Sequence, residues 1–144
     1  MFKKILLAYD GSEAGQKALL ESKEIAQWSD ADLTLVAVTP LTAEFMGPEG
    51  GIYDLRKLEH EKSAFQKTLE AGVADLQAAG YRASGEVLMG DIVAEIARHA
   101  RKIKAQLIVV GHKHQEGWPA HWWRSSISKV LINHAPCSVL VVVA

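Results

Sequence analysis

The stretch GDIVAEIARHARKIKAQLIVVG, Gly90–Gly111, holds a helix and a buried strand back to back. Asp91 is a suitable N-cap, since its short carboxylate can accept from a free backbone N–H of the first turn. Ile92, Val93, Ile96, Ala97, Ala100 and Ile103 follow at helical spacing and predict one buried face. Ala105–Gly111 then runs almost without a polar residue. That is the pattern of a strand covered on both faces, as in a parallel sheet.

The same unit recurs toward the N-terminus. Lys3–Ala8 reads as a first strand, followed by Asp10-Gly11 and a helix capped at Ser12. Ala14, Ala18, Ser22, Ile25 and Ala26 would form its packing face, and it should end near Trp28. Leu33–Val38 is a second strand, closed by Thr39-Pro40. Leu41–Gly51 has no clear period and reads as a connection. Leu55, Leu58, Phe65, Leu69, Val73 and Leu76, with Lys62 on the same line, stripe a long helix over Asp54–Ala79, and Gly80 is its stop. Tyr81–Met89 is a third strand, polar enough for an edge position.

Toward the C-terminus comes GHKHQEGWPAHWWRSS, Gly111–Ser126, which holds three of the four tryptophans and three of the six histidines. A connection of this length in a compact domain is often functional. Ser125 or Ser126 should cap a short helix ending near His134. Cys137–Val143 is a last strand. The alternation βαβαβαβαβ over 144 residues describes one domain with a parallel sheet and helices on both faces. Ligands of doubly wound sheets sit beyond the carboxyl ends of the strands. Asp10, Thr39 and Gly111 therefore belong beside one crevice.

Composition narrows the function classes. Sixteen cationic residues face 17 acidic ones, a formal net charge of −1 that argues against a general nucleic-acid binder. No apolar run approaches the roughly 20 residues of a membrane span. The first apolar run is too short for a signal peptide and lacks a small-residue cleavage site, so a cytoplasmic protein is expected. One cysteine, Cys137, permits no internal disulfide, and it reads as a small buried hydrophobe. His99 and His134 read as structural, and His60 as solvated. His112, His114 and His121 are a set of imidazoles that could face a metal, but packing or surface roles are the commoner outcome for histidines beside tryptophans. No metal site is therefore expected.

KILLAYDGSEAGQKAL, LTLVAV, GDIVAEIARHARKIKAQLIVVG and SSISKVLINHAPCSVLVV, in this order and spacing, resemble the universal stress protein family across nearly the whole chain. The resemblance implies a five-stranded parallel sheet in the order 3-2-1-4-5, and a cytoplasmic homodimer involved in stress survival. One branch of that family binds ATP through Gly-x2-Gly-x9-Gly-Ser/Thr after the fourth strand. Laid on this chain, the motif falls on Gly111, His114, Arg124 and Ser125, with Ser126 beside it. Two of its three glycines are replaced. A side chain there occupies space that a phosphate needs. The resemblance also assigns Asp10 to ribose or base and the backbone of Val38 to adenine.

ATP or AMP is thus the ligand class implied, and weak or absent ATP binding is the expectation. The alternative is an ATP- or AMP-binding protein that uses Asp10, Val38, Gly111, Arg124 and Ser125, with His114, Arg124 and Lys113 holding the anion by side chains. No enzyme is expected, because the chain lacks the loop and histidine motifs of the ATP pyrophosphatases and nucleotidyl transferases that share this fold, and has no P-loop and no GxSxG. Trp118, Trp122 and Trp123 are expected to be partly covered, by the sheet edge or a protein partner. The last strand, Cys137–Val143, would lie at an edge under the implied order. Pairing with the same strand of a second copy would cover it.

Overall fold

A computed structural model describes residues 2–40, 55–112 and 127–143. Five strands alternate with four helices: β1 Lys4–Ala8, α1 Glu13–Ser29, β2 Asp32–Pro40, α2 Leu55–Ala78, β3 Ala83–Gly90, α3 Ile92–Ile103, β4 Leu107–His112, α4 Ile127–His134 and β5 Ser138–Val143. All pairings are parallel, in the order β3-β2-β1-β4-β5. β3 is an edge strand, as its polarity predicts, and β5 is the other.

The period of two along each strand divides the core into two layers. Ile5, Leu7, Leu33, Leu35 and Val109 face α1 and α2. Leu6, Val36, Val38, Ile108 and Val110 face α3 and α4. Leu6, Leu7, Leu35 and Ile108 are completely buried, and each such side chain contributes about 1.5–3 kcal/mol relative to exposure. Both faces of β5 are used, Leu140 and Val142 toward one layer, Val139 and Val141 toward the other.

The helix limits follow the caps. Ser12 Oγ accepts from the Gly15 N–H at 3.0 Å, and Asp91 Oδ2 from the Ala94 N–H at 2.9 Å. Asp30 and Lys104 take left-handed C-cap conformations, with φ of 53° and 56°. Gly80 ends the turn after α2 at φ 91°, where a glycine pays no steric penalty.

Several boundaries and faces differ from the sequence reading. β2 runs on through Thr39 and Pro40, because its pairing with β3 continues to Gly90. β5 begins at Ser138, leaving Cys137 just outside it and half-buried. Burial pushes the Cys137 thiol pKa up. Leu55 and Lys62 do not join the packed face of α2. They are exposed, and only Leu58, Leu69, Gly72 and Leu76 of the helix are fully covered. His99 is buried and His60 and His134 are exposed. His134 Nδ1 lies 2.9 Å from the Val130 carbonyl one turn back.

Candidate functional site

In this strand order the connections turn in opposite directions on either side of the β1/β4 pair, so loops diverge at its carboxyl end and leave a gap. A cavity of about 400 Å³ occupies that gap. That is within the range of small-molecule sites. Its wall is mostly hydrocarbon: Ala8, Val36 and Val38 from the sheet, Ile92 and Ile96 from α3, and Val110 from β4. Tyr9 and Phe65 border it from the α1/α2 side. Its polar lining comes from Asp10 and Ser12 after β1, His112 at the end of β4 and Ser128 on α4.

The turn from β1 into α1 shapes the first part of that lining. Asp10 Oδ1 accepts from the Ser12 N–H at 2.9 Å, and Ser12 in turn caps α1. Among the described residues only Oδ1 of Asp10 is engaged, and the side chain is exposed. The carboxylate is held at the rim by the turn, with Oδ2 left to the solvent side. A Cβ on Gly15 would stand 2.8 Å from Asp10 Oδ1, so the small residue there makes room for this arrangement. The Tyr9 hydroxyl accepts from Gln16 Nε2 at 2.6 Å, and burial raises its pKa.

Gly111 is at the end of β4, against the first turn of α1. A Cβ there would stand 2.3 Å from the Ala14 carbonyl oxygen and 2.9 Å from the Gly15 nitrogen. No flexible side chain is involved, so nothing could yield. Glycine at this position is required by the approach of two backbones, independently of any phosphate.

Of the residues singled out from sequence, Asp10, Val38 and Gly111 line this one cavity, and His112 does so as well. His114, Arg124, Ser125 and Ser126 lie outside the described residues, as do His121, Trp118, Trp122 and Trp123. Thr39, expected beside the crevice, is fully buried on β2, and its Oγ1 has no hydrogen-bond partner among the described residues. It is not among the lining residues. Among the described residues no group of three or more metal-ligating side chains forms. The sequence reading missed Tyr9, Val36, Ile92, Ile96 and Val110. Tyr9 and Val110 were accessible to it, as neighbours of Asp10 and Gly111 at strand ends. Ile92 and Ile96 were read as helix core, which they also are. Phe65 had no signal, because a helical stripe does not say which member stands at the mouth.

Comparison with known proteins agrees with this architecture. The model of the universal stress protein family matches residues 1–143. A universal stress protein from Thermus aquaticus is 33% identical over 144 residues, spanning 99% of each chain. The solved structure of a universal stress protein family member from Burkholderia pseudomallei superposes with a TM-score of 0.78 at 26% identity, covering 99% of this chain and 96% of that one. A member from Arabidopsis thaliana, solved with AMP bound, gives a TM-score of 0.69 at 18% identity, covering 98% and 91%. From its sheet order, its two-layer core and these matches, the chain belongs to the universal stress protein family.

Proposed function

We propose that the protein is a non-catalytic, homodimeric stress-response module of the cytoplasm, whose adenine-nucleotide site keeps its nucleoside half and has a remodelled phosphate half. The observation that carries this is the cavity of about 400 Å³ between Asp10, Val38 and Gly111. Its hydrocarbon wall suits the faces of a purine, and the exposed Asp10 carboxylate at its rim suits ribose hydroxyls. AMP occupies the relative from Arabidopsis thaliana, which shares the fold. The phosphate half departs from the family pattern in sequence: His114 and Arg124 stand where the motif has glycines, so backbone N–H groups lose their close approach to phosphate oxygens. Gly111 keeps its glycine, and its approach to α1 is reason enough for that.

The reading in which ATP or AMP is bound by the full length of the site, with Arg124 and Ser125 replacing the lost backbone donors, draws on the same open cavity. Calorimetric titration with ATP and magnesium separates the two. Remodelling predicts a dissociation constant weaker than about 100 μM, near 5.5 kcal/mol of binding free energy. Micromolar binding, or ATP carried through purification, would favour the second reading.

The dimer proposal rests on β5. Its outer edge is unpaired among the described residues, and Val143 at its end is 50% exposed, as are Val130 and Ile132 of α4 at 43% and 58%. Two such strands about a two-fold axis run antiparallel and satisfy each other's N–H and C=O groups. Light scattering should give twice the chain mass, and Val141→Pro, which removes a ladder donor, should shift the population to monomer. A monomeric parent protein at micromolar concentration would refute this contact.

A further inference from the structure

The amino ends of the strands form a second recess, chemically unlike the first. Here α1, α2 and α3 all end, and each turns into the start of the next strand. A cavity of about 730 Å³ opens between these turns. Lys4, Arg82, Lys102 and Lys104 line it, with Thr34 and Ser84 paired across β2 and β3. Asp32 is the single carboxylate in its lining.

That carboxylate is already engaged. Arg82 Nε binds Asp32 Oδ1, Arg82 Nη1 lies 3.1 Å from Asp30 Oδ1, and Nη2 donates to the Asp30 carbonyl at 2.7 Å. The guanidinium answers one of the two carboxylate charges, so the cluster keeps one net negative charge. The ammonium groups of Lys4, Lys102 and Lys104 make no ion pair among the described residues. Four cations, Lys4, Arg82, Lys102 and Lys104, thus stand against two carboxylates, Asp30 and Asp32, a local positive excess on a chain whose charges nearly cancel. Lys102 and Lys104 have a partial explanation, since cations at the end of α3 offset its dipole. Lys4 does not share it. It is contributed by β1, and its backbone N–H is held by Gln106 Oε1. Lys104 is also fixed at its root, as the left-handed C-cap whose N–H donates to Ala100 and Arg101.

We infer that this recess binds a small polyanion carrying two or more phosphate groups. Three lysines line a space of small-molecule size, and Thr34 and Ser84 add hydroxyl donors to its lining. A nucleic acid would need a longer basic track than one recess provides. The site is separate from the nucleoside cavity, at the opposite end of the same strands, and does not depend on that cavity's occupant.

Inorganic tripolyphosphate is a direct probe, titrated at low salt into the full chain while backbone amide resonances are followed. Saturable binding with shifts at Thr34, Ser84 and Lys104 is expected. The triple variant Lys4→Gln, Lys102→Gln, Lys104→Gln should weaken it by about tenfold or more. The triple variant Lys62→Gln, Lys67→Gln, Lys129→Gln, equal in charge change but distant from the recess, should stay within about twofold. Ile92→Trp, which fills the nucleoside cavity, should leave tripolyphosphate binding intact, so failure of one site is distinguishable from failure of the other. Equal weakening by both lysine sets would overturn the proposal, as would shifts confined to Asp10 and Gly111, or no saturation with the parent protein. Hexaglutamate binding as tightly as tripolyphosphate would overturn the phosphate assignment in favour of an acidic peptide.

Discussion

The two ends of the sheet are built from the same strands and differ in almost every chemical respect. At the carboxyl end, β1 and β4 open between diverging loops, and the wall of the cavity is mostly apolar with one carboxylate at its rim. At the amino end, three helices terminate around a recess lined by lysines, an arginine and hydroxyls. The difference teaches that topology provides recesses, whereas their chemistry comes from which residues happen to stand on strand ends. A strand buried on both faces must be apolar through its middle, and the carboxyl-end cavity cuts into that apolar middle at Val36, Val38 and Val110. The amino-end recess reaches only the first residues of the strands, Lys4 of β1 and Asp32, Leu33 and Thr34 of β2.

The largest expected effect separates two glycines, one at each end. Gly111→Ala places a Cβ 2.3 Å from a backbone oxygen, and should cost about 3 kcal/mol or more, because neither backbone can yield without moving a whole element. Gly80→Ala meets nothing within 4 Å, but at φ 91° it is strained by conformation alone, at a cost of about 1–2 kcal/mol. Urea denaturation measures both. Equal costs would break the comparison, since they would mean that the approach of β4 to α1 is loose.

A smaller effect lies between the two ends. His99 on α3 is 3% exposed, and its Nδ1 is 3.7 Å from Glu86 Oε2 without a hydrogen bond. Burial holds its pKa below the ordinary 6.5. Lys102 and Arg98 act in the same direction, and Glu86 and Glu95 oppose it. The unfolded chain therefore takes up this proton first as the pH falls. The stability due to neutral His99 is complete above pH 6.5 and is lost as the pH falls through the folded value. His99→Gln should flatten the pH dependence of the urea midpoint below that point. An unchanged slope would show that other groups set it.

Much of the fold was legible because parallel sheets write it plainly. Leu107–Val110 and Leu33–Val38 have no polar alternation, and Ser12, Gly80 and Asp91 mark helix ends by well-understood chemistry. Errors arose where tertiary pairing overrides local signals, as when Pro40 stays in β2 because β3 continues beside it. The site was legible only at its landmarks. Asp10 and Gly111 stand at strand ends that topology brings together, whereas Ile92 and Ile96 look identical to core residues in sequence. The second reason for Gly111, its contact with the Ala14 backbone, has no sequence signature at all. The amino-end recess was also invisible, since Lys4, Lys102 and Lys104 are distant in sequence from Thr34 and Ser84 and singly unremarkable.

The central claim, that the nucleoside half of the site is kept and the phosphate half remodelled, is tested most directly by comparing adenosine with magnesium ATP in calorimetric titrations of the same preparation. If phosphates add little, the two dissociation constants should agree within about threefold, a difference of roughly 0.7 kcal/mol. ATP binding about a hundredfold tighter than adenosine would contradict the claim, because an intact phosphate cradle would then be supplying the affinity.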